Sequence, residues 1–119
     1  MREYAVSVGA LDLRLSTDWA TWGDLVDAGF DPMAIAREAT RENTEEGYHS
    51  EIDLGLRACV QILAVGAKSQ GVTVDEIGRA AMRFGAVQTM QVVGEYFTRL
   101  LASDEQVAGF DKGADPKKK

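Results

Sequence analysis

The residues best suited to chemistry crowd into one stretch, "EEGYHSEID" at positions 45–53, where His49 is flanked by Glu45, Glu46, Glu51 and Asp53. Imidazole and carboxylate are the donor types of a divalent-cation site, but a cation needs three or four donors converging on one point. A single histidine among carboxylates strung along a polar segment provides no such convergence, so the segment reads as a solvated acidic loop. Cys59 is the only cysteine. It falls in the apolar helical pattern "LRACVQILAVGAK", where a thiol packs as a small hydrophobe rather than acting as a nucleophile. With no second cysteine it makes no internal disulfide, which points to a reducing, intracellular setting. Serine, histidine and aspartate never occur in an order that would orient a base toward a nucleophile. "GRAAMRFG" lacks both the lysine and the strand-then-helix context of a phosphate loop. The expectation is no catalytic residue, no metal site, no cofactor, and hence no enzyme.

Charge narrows the partners. The net charge is −6, and residues 1–103 carry all of that excess, with 15 acidic against 9 basic side chains; residues 104–119 hold four of each. Phosphate binding needs a concentrated positive surface, so nucleic acid is not expected as a partner. "VTVDEIGRAAMRFGAVQTM" superficially suggests a helix-turn-helix. However, Gly85 lies eight residues beyond Ile77, too far for that turn, and no Lys or Arg occurs between Ala86 and Thr98 to meet phosphates or guanine edges. The apolar runs, such as "CVQILAVGA", are far too short to span a bilayer, and no leader pattern is seen. No membrane partner is expected, and the expected location is cytoplasmic.

The elements that would position any site are legible from periodicity. Tyr4, Val6 and Val8 alternate on one extended segment and Leu11, Leu13 and Leu15 on the next, with Gly9-Ala10 fitting a two-residue hairpin loop. A hairpin with one apolar side is marginal alone and must lie on something. Ser16, Thr17 and Asp18 are N-cap candidates for a helix over about 18–28, with Trp19, Trp22, Leu25 and Val26 as its stripe and Gly29 after it. Asp31 and Pro32 open a second helix with a thin apolar face of Met33, Ile35 and Ala36. "TEEGYHSE" is a loop. A third helix is expected over about 50–69, carrying Ile52, Leu56, Cys59, Val60, Leu63 and Ala67, and Gly71 ends it.

"TVDE" at 73–76 is a capping-box pattern that starts a short helix to about Arg83. Gly85 interrupts, and a last helix runs over about 86–102 with Val87, Met90, Val93, Phe97, Leu100 and Leu101 at helical spacing. Gly94 falls on that stripe. A glycine there costs about 1 kcal/mol against alanine, so a close approach of another element is its expected use. The fold class is α+β, mostly α: an N-terminal hairpin packed on a bundle of four to five helices, as a single domain over 1–103. The tail "SDEQVAGFDKGADPKKK", without periodicity, is expected to be disordered over 104–119. Val92, Val93, Tyr96 and Phe97 make an apolar band wider than one face needs, so the candidate partner-binding residues are Trp22, Met90, Val93, Tyr96 and Phe97. Self-association through the hairpin edge or the last helix follows as an expectation, making a homo-oligomer.

The order of these pieces resembles the tail assembly chaperones of long-tailed bacteriophages and the related gene-transfer-agent proteins. The likeness spans about residues 4–102 and lies in "YAVSVGALDLRLSTDW", "ATWGDLVDAGFDPMAIA", "LGLRACVQILAVGAKSQG" and "VTVDEIGRAAM". It rests on Leu13, Leu15, Trp19, Leu25, Gly71, Thr73, Glu76 and Gly78. Trp22 and the long "ATRENTEEGYHSEID" connection depart from the family's layout. The resemblance implies a non-enzymatic protein of the host cytoplasm that coats the tape-measure protein, keeps it soluble and helps recruit tail-tube subunits. Another oligomeric phage structural or adaptor protein is the alternative for the same layout, and a small transcriptional regulator the third. The resemblance also implies a longer form made by ribosomal frameshifting. Lys68 is the one lysine before residue 112, yet "PKKK" closes the sequence, so an A-rich slippery run is expected near codons 116–119. Sequencing the gene checks this, and absence of the run removes the idea.

Overall fold

The computed structural model describes residues 3–37 and 55–113. Strands β1 (Glu3–Val8) and β2 (Leu11–Ser16) pair antiparallel in the register Glu3↔Ser16 through Val8↔Leu11. Gly9 takes the positive φ, 64°, that lets a two-residue loop follow the strand twist. The alternation sorts the faces as expected. Val8, Leu13 and Leu15 are buried, Tyr4, Val6 and Leu11 pack against the core, and Glu3, Ala5 and Ser7 face out.

Helix α1 (Trp19–Asp27) begins one residue after Asp18, whose extended backbone takes the N-cap place without a side-chain cap bond. Ser16 orders this entry instead, its Oγ accepting from Asp18 N–H at 3.2 Å and from the Thr21 hydroxyl at 2.7 Å. Residues 32–37 form helix α2, where Asp31 Oδ1 accepts from Met33 N–H at 3.1 Å, as expected of that cap. The acidic loop with His49, and Ile52 with the expected start of the third helix, lie outside the described residues. Helix α3 (Leu56–Gly66) starts from Gly55, which is extended with φ −65° and ψ 171°. A 3-10 turn (Lys68–Gln70) and Gly71 at φ 76° end it.

Thr73 and Glu76 close the capping box in both directions, at 2.9 and 3.1 Å, and start helix α4 (Val74–Phe84). Gly85, at φ 115°, is the one residue between α4 and helix α5 (Ala86–Leu101). The expected disordered tail is corrected over its first part: Asp104–Gly113 form helix α6. Its signal was in the sequence, in "SDEQ". Ser103 Oγ accepts from Gln106 N–H at 3.1 Å and Gln106 Oε1 from Ser103 N–H at 2.9 Å, a second capping box. No helix among the described residues is long and apolar enough to cross a membrane.

The core lies between the hairpin and the helices. Leu13 and Leu15 of β2 share one buried cluster with Leu25, Ile62, Leu63, Ile77, Val93 and Tyr96, all essentially inaccessible. α3 sits at the centre and touches α1, α4, α5 and β2. Each such aliphatic side chain is worth roughly 1.5–3 kcal/mol on burial. The β2 edge is closed by a side chain: Gln70 Oε1 accepts from Arg14 N–H at 2.5 Å while Gln70 Nε2 donates to the Asp12 carbonyl at 3.2 Å. An added strand therefore cannot use that stretch of β2.

Tyr96 ties the layers together. Its hydroxyl donates to the Ser16 carbonyl at 2.6 Å, across 80 positions of chain. Its ring end passes over Gly66 of α3, where a Cβ would lie 2.6 Å from the hydroxyl oxygen. The close-approach glycine is thus Gly66. Gly94, expected in that role, is exposed, and nothing described lies within 4 Å of where its Cβ would be.

Tyr96→Phe should cost about 1–3 kcal/mol in urea unfolding, because the Ser16 carbonyl keeps its burial and loses its donor. Gly66→Ala should cost about 1–3 kcal/mol by overpacking. The double variant should lose less than the sum, because the first change removes the atom nearest the added methyl. Burial raises the Tyr96 phenol above its ordinary value of 10.0. The folded pKa exceeds the unfolded one, so this stabilisation is whole below about pH 10 and declines above it as the unfolded chain ionises first. Tyr96→Phe should therefore show a shallower loss of stability above about pH 10 than the parent.

Candidate partner-binding groove

Of the five residues expected to meet a partner, three are inside. Val93, Tyr96 and Phe97 are buried, so that expectation is corrected for them. The buried positions of α5 are Thr89, Val93, Tyr96, Phe97 and Leu100, and the buried face is thus rotated away from the line of Val87, Met90 and Gly94. Two of its members are polar-tipped and satisfied: Thr89 donates to the Gly85 carbonyl at 2.8 Å, and Tyr96 to Ser16. An apolar pattern alone therefore placed the face wrongly. Trp22 packs partly buried against the core, whereas Trp19 is 85% exposed. Met90 is exposed.

The surface with a shape is elsewhere. α3 is apolar almost all round, which marks a helix buried on most sides. Cys59, Ile62, Leu63 and Gly66 face the core, while Arg57, Gln61 and Lys68 mark one outer line. Along that line run two adjoining concavities of about 500 and 540 Å³ that share Gln61 and Val74. One lies against α4, between Leu56, Arg57 and Val60 on one side and Asp75, Gly78, Arg79 and Met82 on the other. The second lies against the end of α1, with Asp24, Asp27, Ala28 and Phe30 facing Ala64, Val65 and Lys68.

The α4 wall explains the apolar character of the groove. Ile77 and Ala81 point inward, and Val74, Gly78 and Met82 form a second line at i, i+4 and i+8 on the outside. Met82 is 72% exposed, and nothing described lies within 4 Å of a Cβ built on Gly78, which leaves a low point in the wall. Two exposed ion pairs edge the groove, Arg79–Asp75 at 3.0 Å and Lys68–Asp24 at 3.5 Å. Exposed pairs add little stability, and here they edge a groove whose exposed apolar surface is the Val74–Gly78–Met82 line of α4. The Val74–Gly78–Met82 spacing was readable in the sequence and was the signal for this wall. The α1 wall was not, because it depends on how α1 docks.

Burial raises the Cys59 thiol above its ordinary value of 9.0, away from the reactive thiolate. Among the described residues no group of three or more His, Cys, Asp or Glu side chains is placed to hold a metal ion. Comparison with protein-family models, with curated proteins and with solved structures found no match.

The two tryptophans give a direct check of this geometry. Trp19→Phe should remove the red-shifted, quencher-accessible part of the fluorescence and leave stability within about 0.5 kcal/mol. Trp22→Ala should remove the blue-shifted part and cost about 2–4 kcal/mol through lost packing.

Proposed function

We propose that this protein is a non-catalytic assembly chaperone that holds an amphipathic helix of a client chain in the groove over α3. The observation that carries the reading is the second apolar line of α4, Val74–Gly78–Met82, facing solvent beside the floor of α3. A groove with apolar walls and a charge-balanced rim suits a helix that offers apolar anchors at i, i+3 or i+4 and i+7. The floor from Arg57 to Lys68 is about 16 Å long at the helical rise per residue, which accommodates roughly three turns.

The resemblance to phage and gene-transfer-agent tail assembly chaperones names the client. The tape-measure protein is long and helical, and a bound acidic body of net charge −6 would keep it from aggregating. Recruitment of tail-tube subunits belongs to the same reading. The absence of Lys and Arg from Ala86 to Thr98 argues against a DNA-reading role for α5.

Co-expression with a tape-measure fragment should raise the soluble fraction of that fragment several-fold. Met82→Glu combined with Val74→Glu should abolish the gain while leaving the melting temperature of this protein unchanged, because both side chains are exposed. No gain in solubility with the parent protein rejects the proposal.

A further inference from the structure

α5 carries a second apolar line that the core does not use. Val87, Met90, Gly94, Thr98 and Leu101 follow one another on its outer side, and all five are exposed, Val87 at 58% and Met90 at 44%. None of the five is charged. The Thr98 hydroxyl donates within the helix to the Gly94 carbonyl at 3.0 Å, so covering this residue leaves no donor stranded. Gly94 stands at the middle with nothing described within 4 Å of where a Cβ would be, although glycine there weakens the helix by about 1 kcal/mol against alanine.

We propose that this line is the contact for a second copy of the same chain, packed as an antiparallel α5–α5 pair on a two-fold axis at Gly94. The pattern is symmetric about that residue. Val87 then lies opposite Leu101 of the other copy, Met90 opposite Thr98, and Gly94 opposite Gly94. Each large side chain meets an apolar or methyl-bearing one, and the two glycines let the backbones cross closely. An isologous contact of this kind is self-complementary, as a closed dimer requires. One helix pair is small beside a standard interface of about 1,600 Å², so the dimer is weak and concentration-dependent. The surface is separate from the groove over α3 and does not depend on the client reading.

Sedimentation equilibrium of the full chain tests this. The parent protein should associate as a reversible dimer. Gly94→Glu places two carboxylates on the axis and should weaken the dimer at least tenfold (about 1.4 kcal/mol). Since Glu is a better helix former than Gly, the folded monomer is retained, and circular dichroism verifies it. Met82→Glu, in the groove, should leave the dimer constant unchanged. For orientation, an equal mixture of Val87→Cys and Leu101→Cys chains should cross-link on mild oxidation far faster than either chain alone. A strict monomer at high concentration, a dimer indifferent to Gly94→Glu, or faster cross-linking of Val87→Cys with itself would each overturn the proposal.

Discussion

One hydrogen bond, and the gap that admits it, ties the layers of the fold together. The Tyr96 hydroxyl reaches the Ser16 carbonyl at 2.6 Å because Gly66 offers no side chain in its path. Ser16 is where the ribbon ends, and its own hydroxyl organises the first turn of α1. A single residue on α5 thereby fixes the exit of β2, the entry of α1 and the separation of α5 from α3. A buried phenol without a partner would cost more than the bond contributes, so packing and hydrogen bonding here stand or fall together.

With those layers fixed, the outside of the helices is what remains for partners. α3 is enclosed on the core side and lies along the floor of an open groove on the other, bounded by the end of α1 and the outer line of α4. α5 buries one face and leaves a neighbouring apolar line uncovered. The two surfaces lie on different helices and differ in form. The first is concave with charged edges, suited to an amphipathic segment. The second is a straight, uncharged stripe with a gap at its centre, suited to a partner of the same shape. Two exposed apolar surfaces on a body with a net charge of −6 are compatible with a soluble chain, because its like charges oppose indiscriminate association.

Some of this was legible from residue order alone. The alternation of Tyr4, Val6 and Val8 with Leu11, Leu13 and Leu15, the Gly9 loop, the Thr73–Glu76 box and the Gly85 break are local signals, and each formed what local physics dictates. The Ser103–Gln106 box was equally local, but it was masked by the polar composition that follows it. Candidate site residues fared differently. Trp22 and Met90 keep partly or largely exposed surface, whereas Val93, Tyr96 and Phe97 do not.

Sequence by itself determined the ribbon, the helices, their caps and the acidic balance, because turns, caps and periodicity act over a few residues. The tertiary structure alone decided which side of α5 is buried, which glycine admits a neighbour, and where a groove opens. Those depend on contacts such as Tyr96 with Ser16, between residues 80 positions apart, whose pairing no local pattern encodes. An amphipathic helix states that it has an apolar side. Only its docking partners set how far that side is rotated and how much of it stays in water.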